Sequence, residues 1–400
     1  MRVAVAGAGS FGRNHLRVYR ELEAAGDGVC LAAIVEPEAA RGAEAAARYG
    51  VPVFTTVDEL LAAHLDLAAA SVAVPTVHHH AVASALLEAG LDLLIEKPIA
   101  AQIGEADDLI ARAEKNGRMV QIGHLERFNP AILAVEPTLR RPMFFEAHRL
   151  SVFTPRSLDV DVVLDLMIHD LDIVLTLAAS PVREVRAVGL PVVSPKVDIA
   201  NVRVEFESGC VANFTASRVS TERVRKLRFF EPHQYVSIDY ARQDLLVIRM
   251  NGQRDDSQPA GGGSLVQRAL AAGLDGGKLA ALAAALPREV VAAVTAGRLD
   301  ADAMEKIRAT GLVDPAILAQ LGTGSAGPAP GLSFVKPEVT PGEPLKLEIQ
   351  SFLDAVRTRR PPRVTARQGR AALALALEIQ AAMAAHAHRA GLGSLFMPGA

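Results

Sequence analysis

The chain opens with RVAVAGAGSFG at residues 2–12, a short apolar run followed at once by a glycine-rich turn. The spacing of Gly7, Gly9 and Gly12 is typical of a dinucleotide-binding turn between a strand and a helix. We expect Gly7 to permit the tight turn, Gly9 to let a pyrophosphate approach, and Gly12 to let helix and strand pack closely. The helix amino terminus would then offer N–H donors to the phosphates. The predicted cofactor contacts in this turn are Gly7, Gly9, Ser10, Phe11 and Gly12.

The second predicted strand, residues 29–36, ends in an acid at the position that usually meets the adenosine ribose. The carboxylate of Glu36 would contact the ribose hydroxyls and repel a 2′-phosphate. The sequence therefore predicts NAD as the cofactor, with NADP possible. If Glu36 is only a solvated acid at a strand end, the sequence still predicts dinucleotide binding but no longer predicts a preference for NAD over NADP.

The first 123 residues alternate short apolar runs with alanine-rich periodic segments. The predicted strands are residues 2–6, 29–36, 51–54, 67–74, 91–96 and 119–123. The predicted helices between them are residues 37–49, 58–64, 78–89 and 104–116. Continuous apolar strands separated by helices indicate a parallel sheet covered on both faces. We therefore predict an α/β Rossmann domain with a doubly wound parallel sheet over residues 1–123.

The pattern changes after residue 123, where strand-like segments follow one another with short turns. They are residues 144–152, 182–193, 201–207, 211–219, 227–230 and 235–250. We predict an α+β domain with an open, mostly antiparallel sheet over residues 124–343, interrupted by one apolar helix at about residues 160–177. An insertion at about residues 251–332 contains several short helices and is either a lid or a solvated decoration. Residues 344–400 are predicted to form helices that pack back on the core.

Composition excludes several classes of protein. The chain has 400 residues, 50% of them hydrophobic, which is more than a single hydrophobic core usually serves, so we expect two domains. Its formal charge of −3 does not indicate the basic surface that nucleic-acid binding requires. Its two cysteines, Cys30 and Cys210, cannot build a disulfide framework. No apolar run has the length of a membrane span, and the opening is not a signal sequence. We expect a cytoplasmic protein that does not bind membranes.

The predicted helix at residues 160–177 carries an unusual polar stripe. At 100° per residue, Asp161, Asp165, His169 and Asp172 fall within about 80° of one another, and the other directions are mostly apolar. A helix that is apolar almost all round is buried, so its polar side chains must be paired or face a cavity. The alternative is an Asp–His pair that only holds the domains together. Asp170 points off the stripe and is predicted to be a cap or a surface partner.

Three motifs carry a resemblance to a known family. They are Glu96-Lys97-Pro98 at the end of the fifth strand, Pro75-Thr76-Val77-His78-His79 upstream, and Asp165-Leu-Met-Ile-His169 in the second domain. With these motifs the chain resembles the glucose–fructose oxidoreductase/inositol dehydrogenase/MocA family of sugar dehydrogenases. The resemblance covers residues 1–250 and about 333–390. It implies the two-domain fold predicted above.

The resemblance also implies an active site. It assigns catalysis to Lys97, Asp165 and His169. It places Pro75, Thr76, His79, Glu96 and Lys97 beside the cofactor, and a cis Lys97–Pro98 bond would aim the lysine into the cleft. Chemically, His169 can act as a base oriented by Asp165, and Lys97 can stabilise an alkoxide, or His169 and Lys97 can exchange roles. No metal is expected, since the consecutive histidines at residues 78–80 diverge.

The substrate is the least determined feature. Arg127, Asn129 and Asp172 are predicted either to bind substrate or, for the first two, to form a hydrogen-bond network at the domain junction. The run around residues 124–130 resembles the subgroup acting on nucleotide sugars, above all the UDP-N-acetylglucosamine 3-dehydrogenases of diamino-sugar lipid A synthesis. A basic run could bind the diphosphate or be a solvated face; it comprises Arg218, Arg223, Arg225, Lys226 and Arg228.

Two other functions stay open at this point. One is oxidation of a free polyol or sugar such as inositol, and the other is a non-catalytic dinucleotide sensor or scaffold on the same fold. A homo-oligomer is expected through the second-domain sheet, because an open sheet with an apolar face needs cover. Val202, Val204 and Phe206 alternate with polar residues and leave one face for helices or for a partner subunit.

Overall fold

A computed structural model describes residues 1–154, 160–250, 269, 274–295, 299–315, 317–318 and 332–392. Parts of the predicted insertion and the last residues of the chain lie outside these ranges. Within the described residues, none of the helices is both long and apolar enough to span a membrane.

The first domain contains a six-stranded parallel sheet with the order β3-β2-β1-β4-β5-β6. Its strands are β1 (Arg2–Ala6), β2 (Cys30–Val35), β3 (Val53–Phe54), β4 (Ala69–Val72), β5 (Asp92–Glu96) and β6 (Val120–Gly123). Its helices are α1 (Gly12–Ala24), α2 (Ala39–Tyr49), α3 (Val57–Ala62), α4 (His79–Glu88) and α5 (Ile103–Lys115). The predicted doubly wound sheet is confirmed. The carboxyl ends of its strands face one edge, where ligands of such sheets bind.

The second domain begins with helix α6 (Pro130–Val135) and contains an eight-stranded sheet with the order β14-β13-β12-β11-β7-β10-β9-β8. The strands are β7 (Phe144–Val152), β8 (Val182–Leu190), β9 (Ile199–Phe206), β10 (Val211–Ser220), β11 (Val224–Glu231), β12 (Gln234–Asp239), β13 (Asp244–Met250) and β14 (Leu332–Val335). Every neighbouring pair is antiparallel except β7 with β10. The predicted α+β fold class is therefore also confirmed.

Residues 235–250, predicted as one strand, form the hairpin of β12 and β13 instead. The carboxylate of Asp239 accepts hydrogen bonds from the N–H groups of Ala241 and Arg242, which closes the turn. Gln243 has a positive φ of 54°. The sequence contains no Gly or Pro at this turn, so the usual turn signal is missing.

The predicted continuous helix at residues 160–177 is also wrong in detail. A π-helical turn spans Val163–Met167, and helix α7 (Ile168–Ala178) follows it. Asp161 caps this segment, since one carboxylate oxygen accepts the N–H groups of Val163 and Leu164. The polar stripe drawn for an ideal α-helix is therefore interrupted between Asp161 and His169, because the π turn changes the angular spacing.

The apolar face of the second sheet is covered by the chain's own helices. Val202, Val204 and Phe206 are fully buried in a core that includes residues of α7 and of the last helix. The opposite face carries polar pairs such as Arg203 with Asn213. Of the two ways in which this apolar face could be covered, by helices or by a partner subunit, the structure shows the first, because intramolecular helices bury it.

The carboxyl-terminal part of the chain joins both domains. The insertion is predicted to contain several short helices, and its described residues include α8 (Gly276–Ala285), α9 (Arg288–Thr295) and α10 (Ala301–Ala309), which have a small core of their own. Helix α11 (Pro344–Thr358) packs on the Rossmann core beside α1, and α12 (Ala366–Arg389) packs on α5, α7 and β8.

Candidate active site

The glycine turn has the geometry that a dinucleotide requires. Gly7 has φ of 96°, and a Cβ there would lie 2.6 Å from the carbonyl oxygen of Ala73. A Cβ on Gly12 would lie 1.9 Å from the oxygen of Gly7, whereas at Gly9 it would meet no atom within 4 Å. Two glycines therefore serve close packing, and the third leaves open space in front of the amino terminus of α1. This arrangement fits a pyrophosphate held by helix N–H groups.

Glu36 is a buried acid attached to this turn. Its carboxylate accepts hydrogen bonds from the N–H of Ala8 at 2.9 Å and of Glu38 at 3.0 Å, and from the guanidinium of Arg41 at 3.1 Å. Burial opposes the charged form, but these hydrogen bonds outweigh it and lower the pKa of Glu36. Glu36 is therefore ionised and fixed at the carboxyl end of β2. It is not the solvated acid of the alternative interpretation.

Lys97 follows β5 directly and forms a cis peptide bond with Pro98, as the resemblance implied. Its Nζ donates to the carbonyl oxygen of Asp165 at 2.8 Å and approaches that of Leu164 at 3.5 Å. Both carbonyls belong to the π turn, in which backbone hydrogen bonds join residues five apart, whereas those of an α-helix join residues four apart. Burial lowers the pKa of Lys97, partly opposed by the charges of Asp165 and Glu96. The structure thus brings the lysine of one domain onto the helix of the other.

His169, one residue into α7, shares this surface with Lys97. Its ring is half-buried, and its Nδ1 has no hydrogen-bond partner among the described residues. Burial lowers its pKa well below the ordinary value, and nearby charges act in the same direction. The groups responsible are Lys97, Arg149, His124 and Arg225. His169 is therefore neutral at neutral pH and can accept a proton.

The expected hydrogen bond between Asp165 and His169 is absent from the contacts of the described residues. The carboxylate of Asp165 instead acts on Lys97, raising its pKa against the effect of burial. The π turn explains this difference, since four residues no longer make one helical turn across it. Asp165 lies at the site, but it does not orient the histidine.

Buried polar contacts of His79 and Glu96 fix the segment around Lys97. His79 places its Nδ1 2.9 Å from the carbonyl oxygen of Pro98 and its Nε2 2.9 Å from that of Val74. Glu96 lies 2.9 Å from the Nε2 of His15 on α1. The ring of His79 is buried, so in this structure it supports the Lys97–Pro98 bend. Pro75 precedes the 3₁₀ turn Thr76–His78 on the same edge of the sheet.

Arg127 and Asn129 form the domain-junction network, one of the two arrangements expected for them. Both are buried. Arg127 donates to the hydroxyl of Thr176 and lies 3.5 Å from Asp172, and Asn129 donates to the carbonyl of Tyr240 at 3.0 Å. The prediction that they contact substrate finds no support in this geometry, because their polar groups are committed to protein partners.

Asp170 was predicted to be a cap or a surface partner, and this is wrong. It is buried and receives a two-point interaction from Arg149 at 2.7 and 3.0 Å. Arg149 also donates to Glu126 at 3.0 Å and lies over the ring of Tyr240. Arg149 occupies an inward position of β7, two residues after buried Ala147, and that alternation could have identified it.

The basic run does not form one surface. Arg218 is buried and lies 3.5 Å from Asp198, so it cannot bind a substrate phosphate. Lys226 and Arg228 lie on the outer face of β11, where Arg228 pairs with Glu146. Arg225 lies opposite Arg149 of β7 in the sheet register, so its side chain is on the helix-facing side of β11. The charge of Arg225 contributes to lowering the pKa of His169. Arg223 is exposed just before this strand.

Sequence reasoning missed two buried ionisable residues, His124 and Glu348, on which the charge of Asp172 from the predicted polar stripe acts. His124 is 1% exposed, and both of its ring nitrogens lack a partner among the described residues. Glu348 on α11 is 0% exposed. Neither of its carboxylate oxygens has a hydrogen-bond partner among the described residues. One oxygen of Asp172 is likewise unpartnered. A single acid inside an amphipathic helix face, such as Glu348, was the available signal.

Glu348 should make stability depend on pH. Burial, together with the charges of Glu96 and Asp172, raises its pKa well above the ordinary value. The folded chain therefore keeps a proton that the unfolded chain releases above about pH 4.3, and stability falls as pH rises towards the folded pKa. Over that window we expect wild type to lose about 1.4 kcal/mol per pH unit relative to Glu348→Gln.

Urea unfolding of both proteins at about pH 5 and about pH 8 measures this difference. Glu338→Gln, at an exposed position, is the matched control and should follow wild type. Parallel pH dependence of wild type and Glu348→Gln would show that Glu348 is ionised in the folded protein.

Comparison with known proteins agrees with this geometry. Residues 1–124 match the family described as "Oxidoreductase family, NAD-binding Rossmann fold", GFO_IDH_MocA, and residues 131–231 match the GFO/IDH/MocA C-terminal domain. A UDP-N-acetylglucosamine 3-dehydrogenase from Acidithiobacillus ferrooxidans is 40% identical over 246 residues, which cover 61% of this chain and 76% of that protein. An inositol 2-dehydrogenase from Leifsonia xyli subsp. xyli is 32% identical over 193 residues, covering 46% of this chain and 56% of that protein.

Solved structures extend the similarity to the rest of the chain. The structure of UDP-N-acetylglucosamine 3-dehydrogenase GnnA from Acidithiobacillus ferrooxidans superposes with a TM-score of 0.72 and 30% identity. The superposition covers 96% of this chain and 98% of that one. The matched profiles, the glycine turn and the two-domain fold agree. The chain therefore belongs to the GFO/IDH/MocA oxidoreductase family and is an NAD-binding oxidoreductase.

Proposed function

We propose that this enzyme oxidises the 3-hydroxyl of UDP-N-acetylglucosamine with NAD. The observation that carries the proposal is the similarity to UDP-N-acetylglucosamine 3-dehydrogenase, 40% identical in sequence and superposable over nearly the whole chain. The inositol 2-dehydrogenase from Leifsonia xyli subsp. xyli matches less than half of the chain. A free polyol such as inositol is therefore the second candidate substrate. The earlier alternative of a non-catalytic sensor is set aside with the family assignment.

Residues at one edge of the Rossmann sheet would hold the cofactor. The glycine turn would bind the pyrophosphate and Glu36 the adenosine ribose, while the residue that ends β5 and residues that follow β4 and β5 would lie near the nicotinamide. These last residues are Pro75, Thr76, His79, Glu96 and Lys97. NAD, when bound there, accepts the hydride from the substrate carbon.

Lys97 and His169 are proposed as the catalytic pair. Two donor directions of the Lys97 ammonium point at the carbonyls of Leu164 and Asp165, which leaves its remaining capacity for the substrate oxygen. His169 is neutral and can take the hydroxyl proton while Lys97 stabilises the developing alkoxide. Since burial also lowers the pKa of Lys97, the two roles can be exchanged. Asp165 would fix the lysine through its backbone and its charge.

Arg225 is proposed to bind the diphosphate of the substrate. It is exposed, lies on the helix-facing side of β11, and acts electrostatically on His169. A guanidinium at this place can form charge-assisted hydrogen bonds with phosphate oxygens. Energy from this remote contact would orient the sugar between His169 and Lys97. Arg223, the neighbouring exposed cation, would assist.

The direct test measures NADH formation by purified protein with UDP-N-acetylglucosamine, free N-acetylglucosamine and inositol. A 3-keto-sugar aminotransferase that removes product helps where the equilibrium is unfavourable. We expect the highest turnover with the nucleotide sugar, a much lower rate with free N-acetylglucosamine, and none with inositol. Activity with inositol and none with UDP-N-acetylglucosamine would favour the second candidate.

Cofactor preference should depend on the charge of Glu36. Glu36→Gln keeps an acceptor for the N–H of Ala8, removes the negative charge, and frees Arg41 to meet a 2′-phosphate. We expect the ratio of NAD to NADP in kcat/KM to fall at least ~10-fold, about 1.4 kcal/mol. Glu38→Gln, which alters the other acidic partner of Arg41, is the control and should change the ratio little. NADP use equal to NAD use in wild type would contradict this assignment.

Oligomerisation through the second-domain sheet stays a proposal, now directed to its outer face. That face carries Asn201, Arg203, Glu205 and Thr215. Because such a surface is polar, we expect a wet interface whose dimerisation weakens when Arg203 and Glu205 are both changed to oppositely charged residues. Sedimentation velocity at micromolar concentrations measures the mass. A monomeric wild type would contradict the proposal.

A further inference from the structure

Arg149 of β7 is a buried cation that contacts three parts of the second domain at once. Its Nε and Nη2 donate to the two carboxylate oxygens of Asp170 on α7, at 2.7 and 3.0 Å. Its Nη1 donates to Glu126 at 3.0 Å, and its guanidinium carbon lies 5.2 Å from the centre of the Tyr240 ring. Arg149 is 4% exposed. Contacts along its edges and on one face therefore fix the guanidinium.

The second acid of this network, Glu126, belongs to the domain junction. It lies in a 3₁₀ turn that begins one residue after β6 of the Rossmann sheet. Its other carboxylate oxygen accepts from the amide of Asn129 at 3.3 Å, and the same amide donates to the carbonyl of Tyr240 at 3.0 Å. A continuous chain of contacts therefore runs from the junction through Arg149 to α7.

Asp170 directly follows His169 in the first turn of α7. Nδ1 of His169 has no hydrogen-bond partner among the described residues, so the backbone beneath the ring sets its place. Asp170 is 2% exposed, and it meets Arg149 through both carboxylate oxygens. A two-point contact of this kind fixes direction as well as distance, which a single-point cation cannot do.

Lys97 holds the same segment from the other side. Its Nζ donates to the carbonyl of Asp165 in the π turn at 2.8 Å. Asp165 precedes His169 by four residues and Asp170 follows it by one, so the histidine lies between two anchored points. One anchor comes from the Rossmann domain and the other from Arg149.

We propose that Arg149 is a positioning residue for the catalytic pair. Through its two-point contact with Asp170, it sets the place of His169 relative to Lys97. The proposal rests on the proposed roles of that pair. A buried ion pair contributes little net stability compared with apolar residues of the same volume, so stability alone does not account for Arg149. Misplacing a reacting group by about 1 Å costs about 100-fold in rate, so an anchor beside the proton acceptor has a direct kinetic effect.

Two conservative variants test this role. Arg149→Lys keeps the charge but replaces the planar fork by a single-point donor, and Asp170→Asn keeps the volume but removes one acceptor. Each should lower kcat at least ~10-fold, with KM and the NADH dissociation constant near wild type. The double variant should be no slower than the slower single variant, because both changes remove the same contact.

The pair of Arg370 and Asp107 offers a matched control. It has the same two-point geometry, with distances of 2.7 and 3.0 Å, but it joins α12 to α5 and is partly exposed. Arg370→Lys and Asp107→Asn should keep wild-type kcat. Urea unfolding of all four variants separates positioning from stability. Arg149→Lys and Asp170→Asn that unfold at lower urea but keep wild-type kcat when folded would overturn the proposal.

A second measurement does not depend on substrate. NMR of protein labelled with ¹³C at histidine follows the Cε1–H signal of His169, which is assigned by its loss in His169→Gln. We expect one narrow signal in wild type and in Arg370→Lys, and a shifted or broadened signal in Arg149→Lys and Asp170→Asn. If wild type does not oxidise UDP-N-acetylglucosamine, the substrate assignment fails while this experiment still tests the positioning. A wild-type signal in both Arg149→Lys and Asp170→Asn would overturn it.

Discussion

Lys97→Ala and His169→Ala are each expected to lower kcat by at least ~100-fold, the low end for loss of a general acid or base. Lys97 of the Rossmann domain donates to the carbonyl of Asp165 in the π turn, and His169 follows that turn. Without Lys97 the developing alkoxide loses its cation, and without His169 the proton loses its acceptor. Binding of NADH, measured by fluorescence, should stay near wild type because the glycine turn is untouched.

Controls separate this effect from general damage. Lys115→Ala removes an exposed lysine from α5 and should keep wild-type turnover. Since burial lowers the pKa of His169 well below 6.5, its loss of base function should appear only as an acidic limb below about pH 6.5 in wild type. Near-normal rates of both variants with the true substrate would show that the catalytic assignment is wrong.

Arg225→Ala should lower kcat/KM for UDP-N-acetylglucosamine by roughly 10- to 150-fold, the equivalent of about 1.5–3 kcal/mol for a hydrogen bond to a charged group. The loss should appear in kcat as well as in KM, because remote binding energy orients the reacting sugar. Free N-acetylglucosamine lacks the diphosphate, so its low rate should not change in this variant.

Arg228→Ala is the matched control for this experiment. It removes a guanidinium from the same strand, three residues away, but from the outer face, where Arg228 pairs with Glu146. Wild-type kinetics are expected. Equal losses in both variants would indicate a general electrostatic effect of β11, and no loss in Arg225→Ala would remove this residue from the diphosphate site.

The local features of this fold could be predicted from the sequence because residues close together in the chain specify them. The glycine turn, the alternating strands and the helix-ending glycines at residues 50, 90 and 117 act within a few positions of the chain. The predictions of secondary structure were wrong where the local sequence contains no signal for the observed structure. The β12–β13 turn closes through the side chain of Asp239 without glycine or proline, and the π turn at Val163–Met167 breaks the period assumed for the polar stripe.

The sequence by itself determined the two-domain architecture, the dinucleotide turn and the residue types at Lys97 and His169, since strand and helix periodicities and short motifs encode them. Only the tertiary structure decided which charges meet. It buried Arg218 and Asp170, separated Arg225 from Arg228 by the alternation of a strand, and placed Asp172 close enough to Glu348 to raise the pKa of Glu348. These outcomes depend on contacts between residues far apart in the chain, and local periodicity carries no information about such contacts.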